Sequence, residues 1–208
     1  MREQKINDIL TFLHRSRSLE TVERYGQSLS ANNNTVAEHS WRLALMALVV
    51  GSECKVNIDM SRTLSLALVH DLAEAKTGDI DAYSLITKGT GMRDKAAREE
   101  AAVRDMTDDL SFGDWVYDLW REYEEQTTLE AKFVSALDKI EGFLHIAENG
   151  VGTYIPKEFH ADYANKAVLA FDEATRHFPE LKDMLDAVKK DLQVQFEKAG
   201  VQWIEVEQ

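Results

Sequence analysis

Residues 35–53 read TVAEHSWRLALMALVVGSE, and the unbroken apolar run from Leu43 to Val50 leaves this segment almost no polar side. A run of this length, without period-two alternation, predicts a helix buried all round. Working outward, Asp59 is a good N-cap for a third helix reaching about Ala75, whose Leu64, Leu66, Ala67, Leu68 and Val69 are again apolar on every side. Upstream, residues 7–17 show helical spacing and 30–34 read as loop. Downstream, residues 76–91 carry three glycines and read as a long loop, followed by helices over about 92–109 and 111–125. Thr127 with Glu130 forms a capping box that opens a helix to about Asn149, closed by Gly150 and Gly152. Pro156 and Pro179 stand where helices over about 157–177 and 180–199 begin. Strand signals are weak throughout. The expectation is an all-α, single-domain helical bundle over 1–208, with a core at about 20–150 and C-terminal helices at about 157–199 packing on it.

The bulk properties narrow the function. The chain has 208 residues, a hydrophobic fraction of 44% and a charged fraction of 29%, the balance of a folded globular protein. A net charge of -13 opposes polyanions, so a nucleic-acid polymer is not the expected partner, and any phosphate must be attracted by local cations. With Cys54 as its one cysteine, the chain has no cysteine zinc cluster, and a metal must be held by His and carboxylate. The first ten residues lack an apolar leader and no apolar run reaches membrane-spanning length, so the expectation is a cytoplasmic chain with no membrane partner.

Against this background the informative residues are His39, near the start of the apolar second helix, and His70-Asp71, near the end of the third. A buried carboxylate without a partner costs several kcal/mol. It must be neutralised by an ion pair, a hydrogen-bond network or a metal, and imidazole with carboxylate suits Zn, Mn, Fe or Co. Any one such His is more often a satisfied core or surface side chain, but the group taken together points elsewhere. In the string HDLAEAKTGD over 70–79, Glu74 falls one helical turn from both His70 and Asp71, placing a candidate acid/base on the ligand patch. Lys76, Lys88 and Lys139 lie near these motifs, where surface solvation is the simpler reading.

The strings VAEHSWR (36–42), HDLAEAKTGD (70–79) and LDKIE (137–141) resemble the HD superfamily of metal-dependent phosphohydrolases. Within it, Glu38-His39-Ser40 and the stretch from Glu74 to Asp79 are similar to the bacterial 5'-deoxynucleotidases. The resemblance covers roughly residues 5–150 and implies an HD-type bundle in which His39, His70, Asp71 and Asp138 hold one divalent metal ion, whether Mn, Co, Zn, Fe or Mg. It also implies that Arg24 contacts phosphate, with Tyr25 beside the sugar or base where relatives are expected to carry Trp. Glu74 becomes the proton-transfer group, and Asp79 a residue that bonds a sugar hydroxyl or orients water. Asp138 lies off the stripe of Phe133, Ala136, Ile140 and Leu144, so a solvated position competes with the ligand role. The six histidines stand at 14, 39, 70, 145, 160 and 177. Their absence between Asp71 and Asp138 argues against a binuclear phosphodiesterase.

The implied reaction is hydrolysis of deoxynucleoside 5'-monophosphates to deoxynucleoside and phosphate. The alternatives are a triphosphohydrolase releasing triphosphate from deoxynucleoside triphosphates, and a catalytically weak nucleotide-binding regulatory module. A homodimer is compatible with the resemblance.

Overall fold

The computed structural model describes residues 2–24, 34–79, 92–150, 174 and 176–200, without the side chains of 92–94. Its described elements are helices: α1 (Arg2–Ser16), a 3₁₀ turn (Arg17–Glu20), α2 (Val36–Glu53), α3 (Met60–Val69), α4 (Glu74–Thr77), α5 (Met92–Thr107), α6 (Gly113–Glu125), α7 (Leu129–Asn149), a 3₁₀ turn (Pro179–Leu181) and α8 (Lys182–Lys198). The all-α expectation holds. The expected helix over 157–177 lies almost wholly outside the described residues, as do Tyr25, Lys88 and most of the loop after Asp79.

Local chemistry explains most helix ends. Thr35 Oγ1 accepts from Glu38 N at 3.2 Å while Glu38 Oε2 accepts from Thr35 N at 2.8 Å, a reciprocal capping box that starts α2 immediately before His39. Asp59 caps α3 as expected, its Oδ1 accepting from Arg62 N. The cap of α7 falls one residue later than the sequence implied. Thr128 accepts from Ala131 N, and Glu130 instead accepts from the backbone N–H of Asp59 at 2.9 Å. Gly150, at φ 94°, ends that helix in a conformation only glycine adopts freely.

Three expectations about the apolar helices are corrected. Neither α2 nor α3 is buried all round: Trp41, Leu45, Leu48 and Val49 of α2 face outward, as does Leu68 of α3. The third helix also does not continue to Ala75. From His70 onward the chain tightens, with Leu72 N bonding Val69 O, Glu74 N bonding Asp71 O, and Ala75 N bonding Leu72 O, all three-residue steps.

The chain divides into two compact units, Met1–Arg42 with Ser65–Thr127, and Leu43–Leu64 with Thr128–Gln208. The core of the first unit joins Leu72 and Ala73 to Ala102, Val103 and Met106 of α5 and Val116, Tyr117 and Trp120 of α6. Phe12 of α1 packs edge-on against Phe112, and Arg15 bonds Asp109 in a forked pair, tying α1 to the turn between α5 and α6. That turn is tight enough that a Cβ built on Gly113 would run into the carbonyl of Thr107. In the second unit α8 packs on α7, and Phe133 meets Phe178 edge-on at 5.2 Å between ring centres.

Candidate metal centre

The first unit brings His39, His70 and Asp71 together. His39 Nε2 and His70 Nε2 stand 3.2 Å apart. Asp71 Oδ2 lies 3.0 Å from His70 Nε2 and 3.7 Å from His39 Nε2. His39 and His70 are almost fully buried, whereas the Asp71 side chain is 23% exposed. His70 Nδ1 lies 3.0 Å from the carbonyl of Ala67, which can only accept, so this nitrogen carries a ring proton and Nε2 is the atom turned toward His39 and Asp71. Tyr123 of α6 holds the ring edge-on at 5.2 Å. Two imidazole nitrogens and a carboxylate oxygen thus converge on one small volume, where a proton or a cation among them would hold them together. Such a donor set fits a divalent metal.

The helix ends at Val69, and where the chain turns at His70–Ala73 the side chains of two consecutive residues reach one point. Glu74 opens α4 with its backbone N–H on Asp71 O, and it is buried. Among the described residues its Oε2 has no hydrogen-bond partner. Its carboxyl is pushed up to about 10 by burial, then by the negative charges of Asp71 and Asp79, against the pull of Arg24 and Lys95. A cation on Asp71 would cancel much of that repulsion.

Arg24 and Asp79 therefore lie within electrostatic reach of Glu74. Arg24 N bonds Asn34 O at 2.9 Å beside the antiparallel bridge of Glu23 and Thr35, which fixes it near the base of α2. Tyr25 lies outside the described residues. In the second unit, Asp138 is half-buried on α7. The helix face it shares is not solvated, because Val134, Glu141 and His145 are all buried.

Two residues escaped the sequence reading. Lys95 and Glu99 form an ion pair at 3.4 Å on α5, and Glu99 is only 9% exposed. The signal was present in the spacing: they continue the inward stripe of Ala102, Val103 and Met106 toward the helix start, where apolar residues would be the ordinary choice. Burial raises the Glu99 carboxyl, with the Lys95 charge opposing it.

A family model described as the HD domain matches residues 16–180. The chain is 36% identical over 145 residues to the 5'-deoxynucleotidase HDDC2 of Bos taurus, an overlap of 68% of this chain and 67% of that one. It is likewise 36% identical over 144 residues to the 5'-deoxynucleotidase HDDC2 of Homo sapiens, covering 67% of each. A solved structure described as a predicted metal-dependent phosphohydrolase from Magnetospirillum magnetotacticum MS-1 shares the fold. Its TM-score is 0.77 over 97% of this chain and 98% of that one, at 23% identity. With two buried histidines and an aspartate converging in the first unit, and a family match over most of its length, the chain belongs to the HD domain family.

Proposed function

We infer that this HD protein is a metal-dependent 5'-deoxynucleotidase, converting a deoxynucleoside 5'-monophosphate and water into deoxynucleoside and phosphate. The donor set of His39, His70 and Asp71 carries the metal-dependent part of this reading, and the likeness to proteins named 5'-deoxynucleotidase carries the substrate. The HD match runs through both compact units, which supports reading them as one domain.

Asp138 is the proposed fourth ligand, supported by the family's pattern and by the buried helix face it occupies. A bound divalent cation lowers the pKa of water and polarises a phosphoryl oxygen. Glu74 passes a proton between water and the departing sugar oxygen, a role supported by its buried carboxyl and by an Oε2 without a hydrogen-bond partner among the described residues. The forked guanidinium of Arg24 binds phosphate oxygens, while Tyr25 and Asp79 contact the nucleoside, Asp79 through a sugar hydroxyl or an oriented water. The net charge of -13 favours a small nucleotide over a nucleic-acid polymer. Among the described residues no helix is long and apolar enough to cross a membrane, and the proposed setting is cytoplasmic. The proposed oligomer is a homodimer.

The same ligands could serve a triphosphohydrolase, so the test must identify the product. Deoxynucleoside mono- and triphosphates are incubated with Mn²⁺, Co²⁺, Mg²⁺ or EDTA, and phosphate is separated from triphosphate. Phosphate released from monophosphates, lost with EDTA, is the expected result. Triphosphate as product would overturn the substrate assignment, and nucleotide binding without any hydrolysis would favour a regulatory module.

A further inference from the structure

The inward face of α5 changes character along its length. Ala102, Val103 and Met106 pack on Leu72 and Ala73, the two residues between Asp71 and Glu74. Glu99 stands three and four residues before that apolar patch, and Lys95 four residues before Glu99, so both continue the same face toward the metal-binding turn. α4, which Glu74 opens, packs against α5, and an ion pair between Lys76 and Asp105 fastens the two.

A charged pair on such a face is expensive compared with apolar side chains, and removing either partner strands the other. The pair therefore calls for a reason beyond packing. Lys95 has three ammonium donors, its ion pair with Glu99 spans 3.4 Å, and its side chain is 29% exposed. Burial opposes its charged form, but the negative charges of Glu99, Glu74 and Asp71 together outweigh that and keep the ammonium protonated. The charges of Arg24 and Lys95 both act on Glu74. A dianionic phosphate approaching a chain of net charge -13 needs such cations.

We propose that Lys95 is a second cationic contact for the phosphate group of the nucleotide, with Glu99 as the residue that positions it. This rests on the nucleotide-hydrolase reading above, and its experiment separates the two. Inorganic phosphate is titrated calorimetrically into Mn²⁺-loaded wild type, Lys95→Met, Lys95→Arg and Glu99→Gln. KM and kcat for a deoxynucleoside monophosphate, and inhibition by the phosphate-free deoxynucleoside, are measured alongside.

Lys95→Met weakens phosphate binding and raises KM by about tenfold, the size expected for losing one charge-assisted hydrogen bond. Inhibition by the deoxynucleoside stays unchanged, and Lys95→Arg recovers most of the phosphate affinity. Glu99→Gln lies between wild type and Lys95→Met. Unchanged phosphate affinity in Lys95→Met overturns the proposal, and so does an equal weakening of phosphate and deoxynucleoside, which would make Lys95 merely structural. Phosphate binding is read without turnover, so a wild type that hydrolyses no deoxynucleotide defeats the functional reading and leaves this test standing.

Discussion

Between His70 and Ala75 the backbone turns in three-residue steps, whereas α7 runs from Leu129 to Asn149 as an ordinary helix. Both stretches carry carboxylates and histidine, and both are made of good helix formers. In α7 the regular spiral sets Asp138, Glu141 and His145 on one face at three, four and seven residues apart. In the other stretch two neighbours in sequence come together just past the end of a helix, with Asp71 Oδ2 within 3.0 Å of His70 Nε2.

The hardest blow to this contrast is a pair of substitutions. Asp71→Asn should abolish metal binding and lower kcat by at least about a thousandfold, the scale of losing a principal charge-stabilising group. Asp138→Asn should do the same, read by metal content and turnover. Metal lost from Asp71→Asn but fully retained by Asp138→Asn would remove α7 from the ligand set and leave the turn to act alone.

Glu74→Gln sharpens the role of the turn. The expected loss in kcat is about a hundredfold or more with metal content unchanged, as for removal of a general acid or base. Loss of metal in this variant would make Glu74 a ligand instead. Its titration gives a gentler handle on the metal-free protein. The folded chain raises Glu74 from its ordinary 4.5 to about 10, so between those values it holds a proton that the unfolded chain releases. Stability must therefore fall as pH rises through that window. Metal-free wild type should lose melting temperature between pH 5 and pH 9 more steeply than metal-free Glu74→Gln, and equal slopes would contradict the assigned burial.

The smallest effect belongs to the support of His39. Thr35→Ala removes one half of the capping box and should cost about 1 kcal/mol, a fall of roughly 2–4 °C in thermal midpoint for a chain of this size. Metal binding should persist.

His39, His70 and Asp71, which the structure brings together, were legible because polar side chains inside apolar segments are conspicuous, and Glu74 because it falls one turn beyond them. The break at His70 was not, since HDLAEA has every local reason to prolong α3; the requirement that overrides it is tertiary. The α7 start was missed by one residue because two threonines compete for the cap, and Glu130, which seemed to favour the first, is engaged by Asp59 N. Lys95 and Glu99 were hidden in a charged helix, where one inward pair looks like its outward neighbours until the apolar stripe has been located. The outward Trp41 and Leu68 mark the opposite error, of equating an apolar run with burial on every side.

Gly113 sits where α5 hands over to α6, with the Thr107 carbonyl in the space a Cβ would need. The far ends of those two helices carry Lys95 and Tyr123, so any side chain at this corner would force one helix to swing against the other. A methyl group there should cost about 1–3 kcal/mol, as overpacking does elsewhere. In a living cell such an allele would behave as a thermometer: competent in the cold, failing on warming, and mapping to the opposite ends of the helices from Lys95 and Tyr123.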